Sequence, residues 1–247
     1  MSYFSTFCLF REGLWIAKTI GLFKTEALLH NGIATIYREK GENENALSHF
    51  ESAKEIMEQF KEDFSFARIL INMGVVYRDL EDLDNSLKVL KKGLSISEKI
   101  GNFEQKQRAL HNIGMIYSTK METMEAKKYF EEALAIAENR NDLSGKAEIF
   151  NAISVLFMRI EDYDLALEII MKAIDLNKNI NDLEQLAIDY NNTGEIFSRK
   201  GDYKNSLEYF EKGFSLFKKS GNINGIQIAE KNVQITKKKL HNQLKTE

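Results

Sequence analysis

Two arginines stand four residues ahead of asparagines, and the pair recurs after forty residues: Arg68 before Asn72 and Arg108 before Asn112. On a helix, side chains at i and i+4 are neighbours, so each pair presents guanidinium donors and a carboxamide together. A guanidinium suits bidentate carboxylate binding, and a carboxamide can pair with both the donor and the acceptor of an extended peptide backbone. The chemistry offered is recognition of an acidic, extended segment rather than bond-breaking. Whether the side chains meet depends on the elements that carry them.

Those elements repeat. "LHNIGMIY" at 110–117 recurs as "HNGIATIY" (30–37), "LINMGVVY" (70–77), "FNAISVLF" (150–157) and "YNNTGEIF" (190–197), a constant displacement of forty. A small residue falls at Ala34, Gly74, Gly114, Ser154 and Gly194, and an aromatic at Tyr37, Tyr77, Tyr117, Phe157 and Phe197. A second pattern keeps the frame: Ala46, Ser86, Ala126, Ala166 and Ser206 are followed by Phe50, Leu90, Phe130, Ile170 and Phe210, then by Ala53, Gly93, Ala133, Ala173 and Gly213. Spacings of 3, 4 and 7 mark one apolar face of a helix, so each period holds two helices. Polar turns such as "LEDL" and "KGDY" join the helices of a pair, and "IGNF", "RNDL", "INDL" and "SGNI" join successive pairs. There Gly or Asn can take the left-handed C-cap conformation and Asn or Asp can cap the next helix. The small residue at 114 removes a side chain where the partner helix must approach closely.

A helix pair of this kind cannot bury its apolar face alone, and stacking copies makes a continuous core. The expected fold is all-α: a right-handed superhelical solenoid of antiparallel helix pairs. The divisions are 1–21 (second helix of an incomplete repeat), 22–61, 62–101, 102–141, 142–181 and 182–221 (five full repeats), and 222–247 (a capping helix and basic tail). In frame, Phe10 falls on Ile170 and Gly13 on Ala173, so the N-terminal helix lacks a first-helix partner. Either another chain covers its apolar surface, which makes self-association through this helix one expectation, or the sequence is a fragment of a longer protein.

The segment "YNNTGEIFSRKGDYKNSLEYFEKGFSLFKK" (190–219) shows Asn, Gly two residues later and an aromatic three after that, then a Tyr/Phe-rich second helix. It resembles the tetratricopeptide repeat family. The period is forty where the common form has about 34 residues, and the proline that often ends that form is missing. Longer repeats occur in kinesin light chains, polarity scaffolds and bacterial peptide-receptor regulators. The resemblance implies a protein- or peptide-binding surface on the concave side of the array.

If 110, 113, 114 and 117 face the core, then 108, 112, 115 and 119 are turned well away from it, since two residues rotate a helix by about 200°. The resemblance places this stripe on the concave surface. It carries Arg68, Asn72, Arg108 and Asn112 in the second and third repeats, with Asn192 later and Arg78 beside it; these six are the candidate peptide-binding residues. The stripe reads as an acid-accepting half followed by a more apolar one, which matches a peptide with an acidic residue and nearby apolar anchors. The plainer alternative is that these asparagines only tie one repeat to the next and the arginines are solvated charges.

Other chemistry is weakly supported. His30, His49, His111 and His241 have no metal-ligand spacing, no Gly-rich phosphate loop follows a strand, and carboxylates on amphipathic helices read as solvated faces. No catalytic residue, metal or cofactor is expected. The balance of 34 Lys and Arg against 37 Asp and Glu gives no global pull toward nucleic acid or anionic membrane. The basic "KKKLHNQLK" lacks interleaved aromatics and reads as a frayed terminus. A single cysteine, Cys8, the absence of a signal-peptide pattern and the lack of a membrane-length apolar run point to a cytoplasmic chain. The expected function is a non-catalytic scaffold; the alternative is the ligand-sensing part of a larger signalling protein, a peptide-responsive regulator or a kinase.

Overall fold

The computed structural model describes residues 3–60 and 63–246. These form twelve α-helices and no strand: α1 (Tyr3–Thr19), α2 (Phe23–Glu39), α3 (Asn43–Phe60), α4 (Asp63–Asp79), α5 (Leu83–Lys99), α6 (Phe103–Thr119), α7 (Thr123–Asn139), α8 (Leu143–Arg159), α9 (Tyr163–Asn179), α10 (Leu183–Lys200), α11 (Tyr203–Ser220) and α12 (Ile223–Thr246). A helix begins every twenty residues from Phe23 onward. The expected junction at 61/62, and the chain ends at 1–2 and 247, lie outside the described residues.

The punctuation of the helices is chemical. The residue twenty apart at each described turn is left-handed: Gly21, Gly41, Gly101, Gly201 and Gly221, and at the other turns Glu81, Met121, Asn141, Glu161 and Asn181. That conformation ends a helix by letting the chain reverse. One residue later, Asp82, Asn102, Asp142, Asp162, Asp182 and Asp202 each accept a hydrogen bond from the backbone amide three residues on, capping the following helix. Glutamate is a poor occupant of the left-handed region, where Glu161 has φ 66°. Glu161→Gly is expected to stabilise the fold by about 1 kcal/mol, less the added freedom of the unfolded chain, as a higher urea midpoint.

The chain divides into two compact units, residues 1–120 and 121–247. In the first, α1 to α6 pack each on the next, and the first helices α2, α4 and α6 also touch in turn. Its core joins Ala34, Ala46, Phe50, Ala53, Leu70 and Met73, all at repeated positions of the sequence pattern. In the second, α7 to α12 pack consecutively, with α8, α10 and α12 in contact. Its core includes Ala166, Ile170, Ala173, Ile174 and Ile196, with Phe217 and Ala229 grouped under α12.

The small residues permit close approach. A β-carbon on Gly194 would stand 2.7 Å from Phe210 Cδ1, and one on Gly74 would overlap Leu90 Cγ. The bare backbone is also used as an acceptor: Ser86 Oγ donates to the Gly74 carbonyl at 2.5 Å, and Ser206 Oγ to the Gly194 carbonyl at 2.8 Å. At the outer side of α1, Leu9, Trp15 and Ile16 remain exposed.

Candidate functional site

In the first unit the candidate residues come from α4 and α6, with α2 beside them. Asn72 Nδ2 donates to Asn31 Oδ1 at 3.1 Å. Arg108 donates to Asn72 Oδ1 at 3.1 Å and, with its other terminal nitrogen, to Gln105 Oε1 at 3.4 Å. Arg78 donates to Asn112 Oδ1 and to Asp79 Oδ1, each at 3.1 Å, while Asn112 Nδ2 donates to the Arg108 carbonyl at 2.8 Å. Four of the six candidates, Asn72, Asn112, Arg78 and Arg108, therefore form one polar network.

Arg68 lies one helical turn before Asn72 and takes no part in that network. Its Nε is buried and has no hydrogen-bond partner among the described residues. Asn72 and Asn112 are only 9% exposed, which differs from the open stripe expected from helix rotation. Neighbouring first helices close over them, whereas the longer side chains of Arg68, Arg78 and Arg108 reach partly into solvent.

The local field is positive. Burial, reinforced by the guanidinium groups of Arg78 and Arg108, pushes His111 down to about 4, so it is neutral at physiological pH. A histidine pair sits between α2 and α3, where His30 Nδ1 and His49 Nδ1 are 2.8 Å apart. Burial, then the neighbouring His49 and Lys18, push His30 down to about 4 as well.

The sixth candidate, Asn192, belongs to the second unit. Its Nδ2 donates to Asn151 Oδ1 at 3.0 Å. Asn151 Nδ2 in turn donates to Asp189 Oδ1 at 2.5 Å, and Asn177 Nδ2 donates to Asp189 Oδ2 at 2.7 Å. Asp189 is 1% exposed, a departure from the expectation that carboxylates here are solvated. Burial pushes it up to about 6, against the downward pull of its two amide donors. A parallel bond runs from Asn232 Nδ2 to Asn191 Oδ1 at 3.0 Å.

Asn31, Asn151, Asn177 and Asp189 escape a reading based on the forty-residue frame. The signal that finds three of the bonded pairs is an offset of 41: Asn31 with Asn72, Asn151 with Asn192 and Asn191 with Asn232. Stacked first helices are staggered by one residue, so a contact between repeats is displaced from the repeat itself. Asn112 has Ile71 at that offset and turns to Arg78 instead.

Nothing in these networks is arranged as a nucleophile with a base. Among the described residues no three His, Cys, Asp or Glu side chains are grouped to hold a metal ion, and no helix is long and apolar enough to cross a membrane.

The tetratricopeptide repeat family profile matches residues 25–99, 65–139, 105–179 and 145–219, four overlapping windows in the forty-residue frame. No curated protein sequence matches the chain. Among solved structures, BtubC (BKLC) from P. vanneervenii aligns over 90% of this chain and 93% of its own, with a TM-score of 0.70 and 16% identity. A Rap protein complexed with competence and sporulation factor aligns over 89% of this chain and 66% of its own, with a TM-score of 0.64 and 15% identity. A signal-transduction ATPase with a tetratricopeptide repeat sensor, from Pyrococcus horikoshii, aligns over 87% of this chain but 33% of its own, with a TM-score of 0.64 and 16% identity. At such identities the likeness is one of fold. The unbroken run of family matches, together with the helix pairs and their repeated Gly, Ala and aromatic contacts, establishes that the chain belongs to the tetratricopeptide repeat family.

Proposed function

We propose that the protein is a non-catalytic scaffold that binds an extended, acidic segment of a partner along the first-helix stripe, with Arg68, Asn72, Arg78, Arg108 and Asn112 forming the acid-accepting part in the first unit. The observation that carries this reading is Arg68, whose buried Nε has no partner among the described residues beside an ordered Arg–Asn network. A buried guanidinium donor left unpaired is unfavourable, and a rotation of the part-exposed Arg68 side chain onto a ligand carboxylate would relieve it. The nearby Arg108 and Arg78 are already oriented by Asn72, Gln105, Asn112 and Asp79, so little ordering is lost on binding. Asn192 is assigned to a ligand surface of the second unit, on the first-helix stripe there. The Rap protein complexed with competence and sporulation factor supports a binding role for this kind of fold without naming the partner here.

The test is affinity capture with mass spectrometry, comparing the wild type with the Arg68→Ala/Arg108→Ala double variant, followed by titration of the captured segment. Each single substitution is expected to weaken an acidic ligand by about tenfold, since a charge-assisted hydrogen bond contributes about 1.5–3 kcal/mol. Equal capture and unchanged affinity in both variants would reject the clamp.

The second reading, a ligand-sensing part of a larger signalling protein, draws on the ATPase whose repeat sensor matches most of this chain yet only 33% of its own length. An effector domain in the same open reading frame would support it, and a frame limited to these 247 residues would remove it.

A further inference from the structure

A carboxamide rotated by half a turn exchanges donor and acceptor with almost no change of shape, so its direction is set by what its neighbours can accept or give. In the first unit that direction is set by a cation. Arg108 can only donate, so Asn72 turns Oδ1 toward it and Nδ2 toward Asn31. In the second unit the position that stands to Asn192 as Arg108 stands to Asn72 is Ile228, which can do neither.

There the direction is set by an anion at the opposite end of the chain of bonds. Ionised Asp189 can only accept, so Asn151 turns Nδ2 toward it and leaves Oδ1 for Asn192 Nδ2. Asn177 shows how strong this demand is. Its Nδ2 faces Asp189 even though its own Oδ1 is then buried with no partner among the described residues. The reverse orientation would set oxygen against oxygen in a buried site, which is worse.

We propose that Asp189 is a positioning residue for the second unit: its inaccessible carboxylate holds Asn151, and through it Asn192, in one orientation, so that Asn192 offers its Oδ1 to an N–H donor of a bound segment. The proposal rests on the reading of the first-helix stripe as the ligand surface. Asn192 is half-buried and its Oδ1 has no partner among the described residues, so the acceptor is available. The recognised chemistry is a backbone or side-chain N–H, complementary to the carboxylate preference of the first unit. The groups presented to Asp189 from α8 and α9 are the amides of Asn151 and Asn177, and Asp182, which caps its own helix, adds to the upward push of burial. Protonation converts one carboxylate oxygen into a donor and releases the lock.

The test follows the side-chain carboxamide signals of Asn151, Asn177 and Asn192 in 15N-labelled, ligand-free protein from about pH 8 to about pH 5. All three are expected to shift together with a midpoint near 6, and to lose that titration in Asp189→Asn. A pH-independent Asn192 signal in the wild type overturns the relay, as does an unchanged titration in the variant. If Asp189→Asn does not fold, the wild-type titration alone decides. Because no ligand is present, failure of the peptide-binding reading and failure of the relay are separate results.

Discussion

As pH falls from 6.5 to 4, the first unit is expected to lose about 2–3 kcal/mol of stability for each of His30 and His111, while the second unit gains about 2 kcal/mol from Asp189. The signs follow from the direction of each shift. Both histidines are held below their ordinary value, so between 4 and 6.5 the unfolded chain binds more protons and folding weakens as protons are added. Their contribution is fully present above 6.5 and gone below 4. Asp189 is raised from 3.8 to about 6, so its folded form binds the proton more tightly, and the stability it contributes is present below 3.8 and lost as pH rises through 6. Hydrogen exchange measured by mass spectrometry across this range separates the units. Amides of residues 1–120 are expected to lose protection while those of 121–247 keep or gain it. Parallel loss in both units would show that the buried groups do not control the response. His111→Gln is expected to flatten the first unit's pH dependence in part, leaving the share of the His30–His49 pair, both of which burial holds below the ordinary histidine value.

Gly194→Ala is expected to destabilise the second unit by about 3 kcal/mol, and Gly74→Ala the first by a similar amount. In each case the added carbon meets a buried side chain that has nowhere to go. Phe210 is 2% exposed and presents three ring atoms within 2.9 Å of the new β-carbon, and Leu90 is fully buried against Gly74. Relief requires the two helices of the pair to separate, which also stretches the hydroxyl bonds from Ser206 to the Gly194 carbonyl and from Ser86 to the Gly74 carbonyl. Ala34 and Ser154 occupy the same repeat position, but there the second helix carries Ala46 and Ala166 rather than serine. Urea denaturation of both variants reads the effect directly. A loss under about 0.5 kcal/mol would mean that the helix pairs slide apart freely and that glycine at these positions is incidental.

The two sets of residues differ in how far the sequence alone carries them. The helices, their twenty-residue rhythm, the left-handed turn residues and the packing role of the small positions are all consequences of local rules: helical periodicity, capping chemistry and the missing side chain of glycine. These operate within one repeat and its neighbour, so a constant forty-residue frame exposes them. The division of the chain after residue 120 left no mark of that kind, since the frame runs through it unbroken.

The candidate site was legible in its residue types but not in its connections. Arg108 and Asn72 were visible as members of a stripe, yet their bond depends on the one-residue stagger between α4 and α6, which displaces contacts to offsets other than forty. Asp189 looked like any other carboxylate on an amphipathic helix. Only the packing of α8, α9 and α10 removes it from water and surrounds it with two amides, and burial of a charge depends on every element around it, not on the residue's own neighbours in the chain. The sequence by itself determined a tetratricopeptide array and the stripe on which polar groups gather. The tertiary structure decided which of those groups bond to one another, which guanidinium nitrogen is left without a partner among the described residues, and which way each carboxamide points, because donors and acceptors are matched largely across helices.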